Sequence, residues 1–203
     1  VSVSGNVVTI NPNSPLDSAQ GYYVQIAASG FDDAAGNSFA GINDATTLNF
    51  TAADVAGPTL SSSTPADNAT GVAVDANIVL TFNENVVAGS GNITLKKSSD
   101  NSTVQAMPVG GANVSISGAV VTINPTANLD SSEAYYVQIA ATAFDDASGN
   151  SYAGISDTTS LSFTAADTVG PTMVITSTTS GVSSGVATND STIALTFTAN
   201  EAA

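Results

Sequence analysis

The sequence has no cysteine, no histidine and no tryptophan, and its only basic residues, Lys96 and Lys97, stand against 17 acidic ones. Each absence closes off some chemistry. Without His or Cys the chain lacks the commonest general base, a thiolate nucleophile, disulfides, and the ligands on which zinc, haem and iron–sulfur sites depend. The missing Cys does not by itself fix a redox compartment, since extracellular repeat proteins also dispense with disulfides. A formal net charge of −15 at pH 7 speaks against nucleic acid or anionic lipid as a partner and for cations. No apolar run approaches the roughly 18 residues of a membrane span, so no membrane insertion is expected. Val1 opens the chain with neither Met nor a basic stretch, and any targeting signal is expected outside these residues.

What is present is a chain of 203 residues, 42% hydrophobic and 9% charged, enough for one or two domains on a scale of about 100–200 residues each. It repeats itself. Val1-Ser2-Val3-Ser4-Gly5 returns as Val114-Ser115-Ile116-Ser117-Gly118, and the offset of 113 residues holds without a gap through Tyr22 to Ile26 and Tyr135 to Ile139, ending at Gly57-Pro58 and Gly170-Pro171. About 40 of some 59 aligned positions are identical, which marks tandem copies of one module. Pro removes a backbone donor and stops strand pairing, so the stretches running into Gly57-Pro58 and Gly170-Pro171 read as linkers. Residues 58–170 are then one complete repeat, 1–57 the second half of a preceding one, and 171–203 the opening of a following one, as in a window on a longer array.

Within the complete repeat the period is two. Asn77 to Phe82 and Asn92 to Leu95 alternate, and Val114 to Ser117 and Val120 to Ile123 flank Gly118-Ala119 as a hairpin. Tyr135 to Ile139 and Leu161 to Phe163 add strands, with Pro65 to Gly71 and Pro125 to Asp130 as polar turns. No stretch shows helical spacing. Seven or eight short strands in about 113 residues predict an all-β, immunoglobulin-like sandwich, with a closed barrel as the alternative.

The ordered motifs Gly57-Pro58-Thr59-Leu60, Ser63-Thr64-Pro65-Ala66-Asp67, Asn77-Ile78-Val79-Leu80-Thr81-Phe82-Asn83-Glu84, Tyr135 to Ile139 and Asp146-Ala147-Ser148-Gly149-Asn150 resemble the bacterial Ig-like domains of S-layer proteins and large surface adhesins. The resemblance covers the middle repeat and, through the internal alignment, residues 1–57. The tail departs from it: Thr176 to Asn189 lacks the Ser-Thr-Pro-Ala-Asp turn, whereas Ile193-Ala194-Leu195-Thr196-Phe197 keeps the strand, as in a sister type. Membership implies an extracellular or cell-surface structural or adhesive role, with neighbouring modules of the same chain as partners and calcium often held between them.

Fourteen of the acidic residues are Asp, a bias suited to turns or to oxygen ligation of Ca²⁺. Sandwich topology separates the two uses. The strand ending at Asn83-Glu84 and the loop Asp145-Asp146-Ala147-Ser148-Gly149-Asn150 both reach the pole that faces the preceding module, and the linker delivers Asp54 there. Asp54, Glu84, Asp145 and Asp146, with Asn150 or Asp157 in reach, are the expected ligands. The next junction repeats the scheme with Asp167 and Glu201. Asp32, Asp33 and Asn37 match the loop in the first copy, where the incoming linker is lacking. Converging carboxylates repel unless solvated, protonated or joined by a cation, and Ca²⁺, with six to eight oxygen ligands, tolerates irregular geometry. The same Asp-x-x-Gly-Asn is also a tight loop that bonds its own backbone.

Other uses compete. The Tyr pairs invite sugar stacking, as in an accessory module of a secreted polysaccharide-degrading enzyme, yet period-two alternation sends one ring of each pair inward. An isopeptide crosslink from Lys96 or Lys97 needs a buried Lys beside a carboxylate. Catalysis in its own right has only hydroxyls and carboxylates to work with.

Overall fold

Alternating side chains become two facing sheets between residues 58 and 165. In the computed structural model, which describes residues 1–179 and 192–200, the chain opens with β1 (Ser2–Ser4), β2 (Val7–Thr9), β3 (Gly21–Tyr23) and β4 (Asn49–Thr51). The middle segment follows with β5 (Leu60–Thr64), β6 (Ala69–Val72), β7 (Ile78–Phe82), β8 (Val87–Ala88), β9 (Asn92–Lys97), β10 (Thr103–Pro108), β11 (Val114–Ser117), β12 (Val120–Ile123), β13 (Ala134–Ile139), β14 (Phe144–Asp145) and β15 (Ser162–Ala165). The hairpin β16 (Met173–Ser177) and β17 (Leu195–Ala199) ends the described chain. No helix occurs among the described residues.

One sheet of the middle segment has the order β11-β12-β7-β5 and the other β10-β9-β13-β15-β6. Their inner faces share a single core. Ile78, Leu80 and Phe82 of β7 alternate with half-exposed neighbours and meet Ile93 and Leu95 of β9, Met107 of β10, and Val137 and Ile139 of β13. Burial of a large apolar side chain contributes about 1.5–3 kcal/mol, so this interleaved set dominates stability. The β11–β12 hairpin forms around Gly118, whose φ of +60° suits a residue without Cβ.

Two strands depart from the sequence reading. β6 lies partly inside the stretch read as a turn, and it pairs parallel with β15, a long-range match that local composition does not signal. β10 carries Gln105 and ends on Pro108, tolerable because it forms the edge of its sheet.

The strands β1 to β4 fall on β11, β12, β13 and β15 at the 113-residue offset and pair in the same way, β1 with β2 and β3 with β4. Their apolar side chains stay open: Val8, Ile10, Phe39, Leu48 and Phe50 are all exposed.

Candidate metal centre

Three chain segments bring carboxylates to one point. Asp54 comes from the linker, Glu84 from the residue pair after β7, and Asp146 from the loop after β14; one ligand oxygen of each lies within 4.8 Å of the others. Aromatic packing places two of these segments. Phe82 meets Phe144 at 5.3 Å and Tyr152 edge-on at 5.2 Å between ring centroids, and Glu84 and Asp146 each follow a ring of this buried trio by two residues. The packed rings thereby hold the two acid-bearing segments side by side.

Asp146 is buried, and its environment favours the charge. Its Oδ1 accepts the backbone N–H groups of Ser148 and Asn150, and its Oδ2 accepts the Asn150 side-chain amide at 2.8 Å. These bonds, the Asn150 amide foremost, hold its carboxyl below the usual Asp range. Gly149, at φ +87°, closes the loop. Asn150 also donates to the Asp54 carbonyl at 3.3 Å, tying loop to linker.

The linker is fixed from both ends. The Ser18 hydroxyl donates to Asp54 Oδ1 at 2.8 Å while accepting the Val55 N–H, and the Ala56 N–H reaches the same carboxylate oxygen. Downstream, the Asn83 side-chain oxygen accepts the Thr59 N–H at 2.6 Å. Between them Gly57 passes so close to the 145–151 loop that a Cβ there would stand 2.3 Å from the Ser151 carbonyl oxygen.

Glu84 takes the opposite shift to Asp146. Partial burial, then the charges of Asp146 and Asp54, push its carboxyl above the usual Glu range, only partly offset by its hydrogen bond with Asn83. Neither lysine relieves it. Lys97 pairs with Asp130 at 2.5 Å, and Lys96 lies 5.8 Å over the Tyr136 ring. Three carboxylates that converge with no lysine beside them form a hard-oxygen donor set, which suits Ca²⁺ or another hard cation.

The remaining predicted ligands are not among the three converging carboxylates. Asp145 points away from the trio, its Oδ1 accepting the Ser151 hydroxyl at 2.6 Å. Asn150 acts as the donor that orients Asp146. Asp157 accepts the backbone N–H and hydroxyl groups of both Thr159 and Ser160 in its own turn, which holds its carboxyl far below the usual range. Asp32 and Asp33 reproduce Asp145 and Asp146, with Asp33 accepting from Ala35, Asn37 and the Asn37 amide. Asp167 repeats Asp54, accepting the Ser131 hydroxyl and the Val169 N–H, while Glu201 lies outside the described residues.

Ser18 and Ser151 are parts of the junction that the sequence reading did not name, whereas Gly57 was read as linker and Asn83 as the end of a strand reaching this pole. The repeat held a signal for both, since Ser18 recurs as Ser131 and Ser151 repeats Ser38.

The tyrosines are structural in the middle segment. Tyr135 is buried, its hydroxyl accepting the Asp130 N–H at 2.8 Å, and Tyr22 does the same with Asp17. This is the corner bond common in immunoglobulin-like sandwiches. Tyr136 is buried too, under Lys96, with its hydroxyl on Asn101.

A family model described as "Bacterial Ig-like domain" matches residues 1–52 and 54–165. The chain belongs to the bacterial Ig-like domain family. Its fold is accordingly the immunoglobulin-like β-sandwich, and the barrel alternative falls. Among solved structures, this bacterial Ig-like chain is similar to the S-layer protein rSbsC(31-844), with 15% identity, TM-score 0.37, and coverage of 61% of this chain and 15% of that one. It is also similar to the N-terminal part of the bacterial S-layer protein SbsC, with 12% identity, TM-score 0.38, and coverage of 72% and 42% respectively. The chain thus spans less than half the length of either. Among curated proteins none matches the sequence.

Proposed function

We propose that this chain is a non-catalytic structural segment of a bacterial surface or secreted adhesin, located outside the cell. In this reading it is a stalk of Ig-like modules with parts 1–57, 58–170 and 171–203, stiffened by Ca²⁺ at the junctions. Its partners are the neighbouring modules of the same chain. The observation that carries the reading is the meeting of Asp54, Glu84 and Asp146 from three segments, one of them the linker. A cation held there would join the linker to the following sandwich at two points of that sandwich.

The next junction supports the same scheme. Asn200 accepts the Thr172 N–H at 2.6 Å and donates its own N–H to the Thr172 carbonyl, as Asn83 does with Thr59. Glu201 follows Asn200 in sequence as Glu84 follows Asn83.

Calorimetric titration of the 203-residue chain with CaCl2, paired with thermal melts in Ca²⁺ and in chelator, tests this. Saturation at about a hundredfold excess over Kd adds about 2.7 kcal/mol. The expected outcome is a binding heat and a raised midpoint, both lost in Glu84→Ala. No heat and no change in midpoint at millimolar Ca²⁺ would sink the calcium part. A scattering profile that stays the same with and without chelator would remove the stiffening.

A further inference from the structure

Each linker is gripped by the corner turn of the module it leaves. In the first segment the Tyr22 hydroxyl accepts the Asp17 N–H at 2.8 Å, and Ala19, at φ +56°, donates its N–H to the Ala53 carbonyl. Between them Ser18 donates its hydroxyl to Asp54 Oδ1 and accepts the Val55 N–H, both at 2.8 Å. The middle segment repeats every one of these bonds. Tyr135 accepts from Asp130, Ser132 at φ +60° donates to Ala166, and Ser131 donates to Asp167 Oδ1 at 3.0 Å while accepting the Thr168 N–H at 2.8 Å. The grip is therefore built into the repeat.

Its chemistry is economical. A serine hydroxyl carries one donor and can accept as well, and here each function is spent on the linker. One bond fixes the Asp54 carboxylate and the other fixes the backbone just after it. The residue following the serine takes a positive φ in both copies although it has a Cβ, a conformation that persists only where its surroundings enforce it. That turn aims the hydroxyl at the linker. From the other side, Asn150 donates to the Asp54 carbonyl at 3.3 Å. The preceding module thus holds the side chain of Asp54, and the following one holds its backbone.

We propose that Ser18 is a positioning residue of the junction. It presents the Asp54 carboxylate to Glu84 and Asp146 as a preset ligand arm, so that the corner of one module sets the cation affinity of a site lying on the next. Ser131 has the same role toward Asp167. This role rests on the cation reading above and gives it a direction, from a folded corner, through the linker, to the following sandwich. Hydrogen-bond partners that orient a ligating carboxylate commonly govern metal affinity although they never touch the ion.

Two-dimensional NMR of the ¹⁵N-labelled 203-residue chain, first in chelator and then titrated with CaCl2, reads each linker separately. The Val55 amide reports the grip itself, and the Asn150 amides report the Asp54–Glu84–Asp146 site. In chelator, Ser18→Ala is expected to speed hydrogen exchange at Val55 about tenfold or more, because its acceptor is gone. With Ca²⁺, the Asn150 signals should need about tenfold more ion in Ser18→Ala and within about twofold of the parent in Ser18→Thr, which keeps a hydroxyl. Ser131→Ala cuts the same bond at the other linker and should leave the Asn150 midpoint where it was. Unchanged exchange at Val55 would overturn the proposal. Faster exchange with an unchanged Asn150 midpoint would remove Ser18 from the site and leave the calcium reading standing. Equal weakening in Ser131→Ala would reduce the effect to a general loss of stability and overturn the positioning role. A parent chain whose Asn150 signals ignore Ca²⁺ would overturn the calcium reading and this role with it.

Discussion

Asp33 and Asp146 occupy the same position in two copies of one loop, and they accept the same set of hydrogen bonds at nearly the same distances. Yet Asp33 is exposed and Asp146 is buried, and only Asp146 meets other carboxylates. The loop geometry is therefore local, written into Asp-x-x-Gly-Asn and formed with or without neighbours. The acidic trio is not local. It needs the linker Asp54 and the β7 end at Glu84, and neither has a counterpart beside Asp33 in this structure. Hydrogen bonding within such a loop accordingly says nothing about a ligand, whereas the convergence of separate segments does.

The largest test of this contrast lies under the loop. Phe144 is fully buried against Phe82, whereas its copy Phe31 borders the open groove. Phe144→Ala is expected to cost the middle sandwich about 3–5 kcal/mol in denaturant unfolding, and Phe31→Ala a small fraction of that. Equal losses would mean that the first segment is packed as tightly as the middle one, and the contrast between the copies would collapse.

A second pair probes the linker. Gly57 abuts the Ser151 carbonyl, whereas Gly170, at the matching position, has nothing within 4 Å of a Cβ. Gly57→Ala forces the linker off the loop, with an expected loss of about 1–3 kcal/mol from overpacking, while Gly170→Ala is close to neutral. Gly57→Ala should also weaken any Ca²⁺ response by moving Asp54. A harmless Gly57→Ala with an intact Ca²⁺ response would show that the close approach does not fix the junction.

Strands with uninterrupted alternation, such as Ile78 to Phe82, were legible because their period appears in a single segment. β6 was not, because Asn68 and Gly71 adopt positive φ and give the stretch the composition of a turn, while its partner β15 lies far along the chain. At the site, topology brought Asp54, Glu84 and the 145–150 loop to one pole, but adjacent Asp145 and Asp146 were not told apart. What separates them is their partners, Ser151 for Asp145 and Asn150 for Asp146, which composition does not reveal. Asp157 was set in reach of that pole from topology, and the structure shows its carboxylate engaged by Thr159 and Ser160 of its own turn. Ser18 was overlooked because a hydroxyl that bridges a linker carries no compositional mark.

The smallest expected effect is the most discriminating. Glu84 is held above its ordinary value, so between that value and the raised one the folded chain keeps a proton that the unfolded chain has released. Stability then falls as pH rises through this window and stays lower above it. Asp146, held low, works in the opposite sense: its contribution is present above the ordinary Asp value and is lost as pH drops. Glu84→Gln removes the first effect and leaves the second. In chelator at pH 7 the variant is therefore expected to melt slightly higher than the parent, with a flatter decline of midpoint as pH rises above the ordinary Glu value. In Ca²⁺ the order should reverse, because the parent gains a bound ion that the amide holds poorly. A variant that melts lower in both conditions would make Glu84 a packing residue, and the excess negative charge at the junction would then need no cation to account for it.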